Sequence, residues 1–420
     1  MNAFILKDGP EIRTYSSPTY ENVLQDSLVI YLNKYESQHL KEYKKRFHLK
    51  QVDITDYEKN VKRPLFRLVE ILFYGVKKRY KVFRGEQEYS HMARKQKKIQ
   101  ESKLFSILLY IPFFLLARIY DNLSLKKNLH LSELEHYQNI KTLYITAYNK
   151  HYLNIILNIK ELNPKVHVIC ILHSEKDLFV DSYIPDVCDE LHLWKASNLS
   201  YLKKTYPFFK NKVELIGVPR FKALKSYIDS HKRESTKGVN IMYICAHPYI
   251  VKDEFKIIQE LIRMTASLYK EISWTIRLNP MNQEMKKFEE LISYHVEISY
   301  PKWEWNEEKF FNMPSFQAEE DFFKAIVDCD IFIGGVSTVA FEGSINRKRY
   351  LAITFDDTGK NEKLSTLLDS GIYDKNIQCK QICVCKDKEK LLDELTTIVD
   401  GNEIDVPFDK LNQELLSNEY

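Results

Sequence analysis

In this sequence, residues of the kinds that bind anions and move protons follow directly on apolar, strand-like runs. VHVICIL ends at His173, with Ser174 and Glu175 behind it, and VELIG runs into Val218, Pro219 and Arg220. VNIMYICA ends at His247, and SWTIRL supplies Arg277, then Asn279 and Pro280. DIFIGG is followed by Val336, Ser337 and Thr338, with Glu342 four residues past Thr338. The last group is the most informative. A Gly-Gly turn lets the backbone approach a ligand closely. A Ser/Thr cap starts a helix whose free N–H groups and dipole face an anion. Glu342, one helical turn further on, is placed to accept hydrogen bonds from ribose hydroxyls. The plainer alternative is an ordinary cap with an exposed carboxylate.

These groups need a scaffold that brings strand ends together. Strand-like segments at 27–32, 48–54, 141–148, 166–173 and 213–218 alternate with helical patterns near 150–162 and 197–206. The alternation restarts at 239–246, 273–278, 330–335 and 349–355. Helices are expected near 252–269, 282–293, 319–328, from about 338, and at 387–399. Continuous apolar strands bounded by helices are the pattern of a buried parallel sheet. Residues 223–237 turn polar and charged and read as a linker. The expectation is an α/β chain of two Rossmann-like, doubly wound domains, 1–222 and 238–420, facing a central cleft. Ligands of such sheets bind outside the carboxyl ends of the strands, where the polar groups above fall.

At 420 residues, a chain of 44% apolar and 29% charged residues suits two soluble domains. Gly plus Pro is 24 of 420, too few for a fibrous or low-complexity chain. Seven cysteines with no signal-peptide pattern argue for reduced thiols in a cytosol. No apolar run reaches the ~18–20 residues that span a bilayer.

The net charge of +4 conceals a split. Residues 1–150 hold 27 Lys+Arg against 16 Asp+Glu, and the remainder holds 35 against 42. Within the basic half, Leu65, Leu68, Val69, Leu72 and Phe73 keep helical spacing between basic clusters, and LFSILLYIPFFLLA (104–117) is largely apolar. This helical insert of about 60–130 fits two readings: core-facing helices, or a peripheral attachment to an anionic membrane surface. A nucleic-acid face is disfavoured, because the aromatics lie inside apolar stretches rather than where bases would stack.

The series GVPRF, a strand ending RLNP, and DIFIGGVSTVAFEGSINRKRYLAITF resembles bacterial GT-B glycosyltransferases of surface-polysaccharide biosynthesis. It is similar to the CMP-sialic acid and CMP-Kdo transferases and to CDP-glycerol glycerophosphotransferases. The resemblance covers about residues 140–370. It implies that a basic-x-His-Pro segment and a hydroxyl pair hold the nucleotide and its phosphate. Here Arg277 takes the basic position, Pro280 the proline, Ser337 and Thr338 the pair, while Asn279 stands where the family has histidine. In the first domain His173 matches the family's strand-end histidine, with Ser174 replacing glycine, and GVPR supplies Gly217, Pro219 and Arg220.

Under that resemblance an acceptor hydroxyl needs a base and the leaving phosphate needs donors. His173 is the candidate base, with Glu175 and Asp177 in reserve. Arg277 and the amides at Ser337 and Thr338 would stabilise the departing nucleotide, with His247 near the phosphates. Arg220 fits either a phosphate contact or an interdomain tie. The expected activity is transfer of a sugar from a nucleotide-activated, CMP-linked donor to a growing, lipid-linked bacterial surface glycan. It would take place on the cytoplasmic face of the membrane, with no cofactor and no metal. The alternatives are CDP-glycerol-dependent transfer, a sugar-nucleotide epimerase and a non-catalytic assembly scaffold. Cys379, Cys383 and Cys385 alternate without a second cluster at zinc spacing, so packing is the better reading. Asp356-Asp357 resembles a metal-binding pair in a class that generally works without metal. The aromatic run 302–311 suits stacking on a sugar or covering a loop.

Overall fold

The computed structural model describes residues 1–6, 11–32, 37–53, 137–146, 155–156, 159–160, 162–173, 188–205, 210–231, 238–246, 250–251, 254–266, 272–282, 285–293, 295–306, 311–356, 359–361, 364, 368, 373–402 and 404–416. The basic insert, Ser174, Glu175, Asp177, His247 and Asp357 lie outside them. The chain divides into two compact units. Residues 1–16, 20–36 and 43–216 form the first, and residues 17–19, 37–42 and 217–420 the second.

In the first unit, strands β1 (Asn2–Leu6), β2 (Leu28–Tyr31), β3 (Lys50–Asp53), β4 (Thr142–Ile145), β5 (His167–Ile171), β6 (Glu190–Leu193) and β7 (Lys212–Leu215) form one sheet. It is parallel throughout, in the order β3-β2-β1-β4-β5-β6-β7. β2 is buried along its whole length and β1 and β4 at all but their first residues, as a parallel sheet covered on both faces requires. Phe4 stacks on Tyr144 at 4.8 Å. The buried Tyr15 donates its hydroxyl to the Ile5 carbonyl at 2.9 Å, pinning helix α1 (Ile12–Tyr15) to β1. Helices α2 (Glu21–Leu24), α3 (Gln38–Phe47) and α4 (Ala196–Thr205) complete the described elements before residue 217.

The second unit repeats the plan. Strands β8 (Val239–Ile244), β9 (Ile272–Arg277) and β10 (Val296–Ser299) precede a hairpin of β11 (Trp303–Asn306) and β12 (Phe311–Pro314). Strands β13 (Ile331–Gly334) and β14 (Tyr350–Ile353), a short hairpin of β15 (Phe355–Asp356) and β16 (Gly359–Lys360), and β17 (Ile382–Cys385) follow. Six of these make a parallel sheet in the order β10-β9-β8-β13-β14-β17. Its helices are α5 (Pro219–Ser230), α6 (Glu254–Thr265), α7 (Phe316–Asp328), α8 (Val339–Ile345), α9 (Asp374–Gln378), α10 (Lys388–Val399) and α11 (Phe408–Leu416). Local chemistry sets their starts. Ser315 accepts the Ala318 N–H and Asp387 the Lys390 N–H, both through the side chain, as N-caps do. Pro219 opens α5, where its missing N–H costs nothing.

Several expectations need correcting. Residues 223–230, read as the start of a linker, are the body of α5. Phe221 and Leu224 are buried, and Tyr227 lies against Phe323 at 5.9 Å. The polar composition is that of the helix's outer face, and only 232–237 of the expected linker fall outside the described residues. The main span of the second unit runs from Gly217. The segment near 282–293 is a 3-10 helix, Met285–Leu291. Of the aromatic run 302–311, Trp303–Asn306 and Phe311 lie in a hairpin in which Trp303 pairs with Pro314. Cys385 packs in the core with Leu391 and Leu395, in keeping with the packing reading.

Candidate functional site

Both sheets have the doubly wound order 3-2-1-4-5-6, counting sheet strands within each unit, and the first adds a seventh at its edge. In such sheets the ligand crevice lies where the strand order reverses, which in the second unit is between β8 and β13. Gly334 at the end of β13 pairs with Ile244 of β8, and Ile244 pairs with Arg277 of β9. Three strand ends are thus level, and Arg277 stands two strand spacings, roughly 10 Å, from Gly334.

The Gly-Gly turn is required by close approach. A Cβ on Gly334 would lie 2.4 Å from the Ile244 carbonyl oxygen, and one on Gly335 would lie 2.8 Å from the Leu364 side chain. The chain then enters α8 through Ser337, whose Oγ accepts the Val339 N–H at 3.3 Å. Thr338, the residue before the helix, makes no side-chain capping bond. The expected cap is therefore supplied by Ser337, and the helix it starts is seven residues long.

Arg277 is held by its neighbours. It donates to Ser299 Oγ at 2.9 Å and to the Tyr300 carbonyl at 3.3 Å, and its guanidinium lies 5.1 Å from the centre of the Phe322 ring. Asn279 uses its side-chain oxygen locally, accepting the Met281 N–H at 3.0 Å in an Asx turn. That bond shapes the RLNP turn.

Arg220 and Glu342 differ most from what their spacing suggests. Glu342 is fully buried, and one of its carboxylate oxygens takes a charged hydrogen bond from Arg220 Nη2. Its other oxygen, Oε2, is buried without a hydrogen-bond partner among the described residues. Arg220 Nε lies 3.5 Å from Glu319 of α7. The carboxylate is thus neither exposed nor open to ribose on its paired side, and both acidic partners of Arg220 lie in the second unit. A separation of 122 residues hides this pair from sequence periodicity.

Two buried groups beside the turn were not singled out in the sequence. Glu254, opening α6, accepts the Ala246 N–H on both carboxylate oxygens at 2.9 and 3.0 Å, and the Tyr243 hydroxyl at 3.2 Å. Burial pushes its carboxyl up to about 8, outweighing the donors from Ala246, Tyr243 and Cys245. Tyr350 donates to the Gly335 carbonyl at 2.6 Å. An acidic residue in a first helical turn is too common a signal to reveal Glu254, and Tyr350 reads simply as part of an apolar strand.

In the first unit, His173 follows β5, and its Nδ1 lies 2.9 Å from the Thr14 hydroxyl. Near the edge of the same sheet a charged network gathers. His192 Nε2 lies 3.0 Å from Glu190 and 3.6 Å from Glu214, the spacing of a metal-ligand set. Lys212 also bonds both carboxylates, at 3.0 Å to Glu190, so an ammonium already supplies the cation between them. Burial alone would raise the Glu190 carboxyl, but bonds from Lys212, His192 and His167 pull it down to about 2. His192 is held below its ordinary value by burial, and its Nδ1 lies 2.6 Å from the Tyr20 hydroxyl.

The parallel seven- and six-stranded sheets define a two-domain α/β protein of the GT-B-like class. No family model matches the chain, and no curated protein matches its sequence. Solved structures do match. A putative UDP-N-acetylglucosamine 2-epimerase from Listeria monocytogenes superposes with a TM-score of 0.52 at 10% identity, covering 99% of this chain and 90% of that one. The UDP-GlcNAc 2-epimerase from Neisseria meningitidis, bound to UDP-GlcNAc, does so at 0.50 and 12% identity over 100% of each chain. The wall teichoic acid polymerase TagF matches at 0.44 and 11% identity, covering 98% of this chain and 82% of that one. The first two show the fold that this chain shares.

Proposed function

We propose that the chain is a GT-B glycosyltransferase that binds a nucleotide-activated sugar, CMP-linked, at the β8–β13 switch point of its second unit. It passes the sugar to a lipid-linked bacterial surface glycan, with the basic insert as its contact to the anionic membrane. The observation that supports this most is the close-packed Gly334–Gly335 turn at that switch point. It delivers Ser337 and Thr338 to the strand-end row that also carries Arg277. Amides and a hydroxyl there suit the leaving phosphate, and Arg277 adds positive charge at the same edge. His173, its ring fixed by Thr14, is the proposed base for the acceptor hydroxyl. Among the described residues no helix is long and apolar enough to cross a membrane.

A thermal-shift panel of CMP, CDP, UMP, UDP, GDP and ADP tests the donor site. Millimolar nucleotide on a ~10 µM site stabilises by ~2.7 kcal/mol, and Ser337→Ala with Thr338→Val should abolish most of that. A cytidine-selective shift supports CMP-sugar or CDP-glycerol donors. An unchanged shift in the double variant removes the site.

A second reading, a sugar-nucleotide epimerase, is favoured by the whole-chain likeness to a putative UDP-N-acetylglucosamine 2-epimerase and to a UDP-GlcNAc 2-epimerase. Incubation with UDP-GlcNAc and no acceptor separates the two. An epimerase converts the sugar at once, whereas a transferase releases nucleotide only when acceptor is added. No shift with any nucleotide would favour a non-catalytic scaffold.

A further inference from the structure

One interior strand of the first sheet is polar where its neighbours are apolar. A strand turns alternate residues to one face, so β6, reading ELHL, sets Glu190 and His192 on the same side, and both are buried. Their register partners on the edge strand β7 are Lys212 and Glu214. His167 of β5 stands on that face too, two residues before the partner of Glu190. Burying a carboxylate and an imidazole inside a sheet is costly unless a partner offsets it.

The spacing of these groups is that of metal ligands. Nε2 of His192 lies 3.0 Å from Glu190 Oε1 and 3.6 Å from Glu214 Oε2, and one ligand atom from each residue falls within 4.8 Å of the others. Ligand atoms ~2.0–2.2 Å from a tetrahedral zinc ion stand roughly 3.4 Å apart, so the two measured edges fall on either side of that value. Behind the imidazole, the Tyr20 hydroxyl lies 2.6 Å from Nδ1. A phenol can donate or accept. His192 can therefore keep its proton on Nδ1, held by Tyr20, and turn the Nε2 lone pair toward a metal, as ligating histidines ordinarily do.

Lys212 marks where a cation sits. Its ammonium bonds Glu190 Oε1 at 3.0 Å and also Glu214 Oε1, which leaves Glu214 Oε2 on the side of His192. The lysine side chain is 60% exposed, so it can swing into water without opening the sheet. An ammonium answers two carboxylates with one charge. A divalent ion answers them with two and also takes the imidazole lone pair.

We infer that Glu190, His192 and Glu214 form a site for a zinc-like divalent ion, which displaces Lys212 and ties the edge strand β7 to β6. Two carboxylates and an imidazole suit zinc better than magnesium, which prefers an octahedral shell of oxygens. The fourth position falls to water. All these residues belong to the first unit, so the site does not depend on the nucleotide reading of the second.

Calorimetric titration of the full chain with Zn2+ tests this, with the wild type and three variants side by side. Zinc taken up by the cysteines is common to all four, so the site is read from the differences. His192→Gln and Glu214→Gln should each weaken binding at this site about 10-fold or more. Lys212→Met removes the competing ammonium and should tighten it about 5-fold. Zinc should raise the Tm of the wild type and of Lys212→Met but not of Glu214→Gln, and Mg2+ at the same concentration should shift none of them. Glu214 and Lys212 lie on the edge strand with solvent-exposed side chains, so these two variants carry the test even where His192→Gln does not fold. Equal zinc affinity in the wild type and Glu214→Gln overturns the inference, as does a Lys212→Met protein that binds zinc no more tightly than the wild type.

Discussion

Replacing Glu254 by glutamine should change how the stability of the second unit depends on pH. The carboxyl lies between the end of β8 and the start of α6, and burial raises it from an ordinary 4.5 to about 8. The titratable groups facing it are Tyr243 on β8, Cys245 just after it and Tyr350 on β14, all pushed up by burial and so neutral in this range. Because the folded state holds the proton more tightly than the unfolded chain, it binds more protons between about pH 4.5 and 8. This contribution is therefore fully present below about pH 4.5 and is lost as the pH rises through 8. Each pH unit well inside that window removes about 1.4 kcal/mol. From pH 6 to 9, with the bend at the folded value included, the loss comes to about 2.5 kcal/mol. The side chain introduced by Glu254→Gln keeps an acceptor for the Ala246 N–H and does not titrate, so subtracting the variant's stability isolates this one group. The assay is urea unfolding of both proteins at pH 6, 7, 8 and 9, following the buried Trp274 of β9. A wild-type-minus-variant difference constant to about 0.5 kcal/mol across that range would refute the reasoning. It would mean that the donors, rather than burial, decide the ionisation.

Further substitutions probe the packing of the site. Gly334→Ala should cost about 3 kcal/mol, because its Cβ meets the Ile244 backbone oxygen and β8 cannot yield without losing register. Gly343→Ala meets the Phe332 ring at 3.1 Å, with the Lys348 carbonyl at an ordinary 3.7 Å, and gains helix propensity, so it should lie within about 1 kcal/mol of neutral; urea midpoints compare the two. Arg220→Met leaves Glu342 buried without its cation and should cost about 3–5 kcal/mol. Adding Glu342→Leu should recover most of that loss, and a double-mutant cycle in urea unfolding measures the recovery.

Strand positions were largely legible because buried parallel strands write themselves as continuous apolar runs. The segments read at 239–246, 273–278, 330–335 and 349–355 become β8, β9, β13 and β14 with ends shifted by one or two residues. β1 leaves no such signal, although it lies inside the first sheet, between β2 and β4. NAFIL is five residues long and has no turn signal before it. The last helix, α11, escaped for a different reason. It is held by Asn412, which exchanges two hydrogen bonds with Ser344, and by Leu415, whose carbonyl accepts the Val218 N–H. Such long-range polar ties leave no periodic trace. The same limit applies to the site. Polar residues after strands could be found by inspection, and Gly334 through Thr338 do occupy the switch point. Which polar residues are buried depends on partners far away in sequence, as with Glu342 and Arg220, and spacing alone cannot supply those.

The strand order of the sheets has a consequence for how the chain is made. In each unit the strand that arrives first is flanked on both sides in the finished sheet, yet only one flank is made promptly. β2 lies beside β1 within 31 residues, but β4 begins at residue 142; β9 follows β8 closely, while β13 begins at residue 331. At about 5–20 residues per second, a ribosome takes several seconds or more to deliver either second partner. For that interval a largely apolar strand presents an open row of amide and carbonyl groups, once in each half of the chain. Those two intervals are when a nascent chain is most exposed to pairing with the wrong edge.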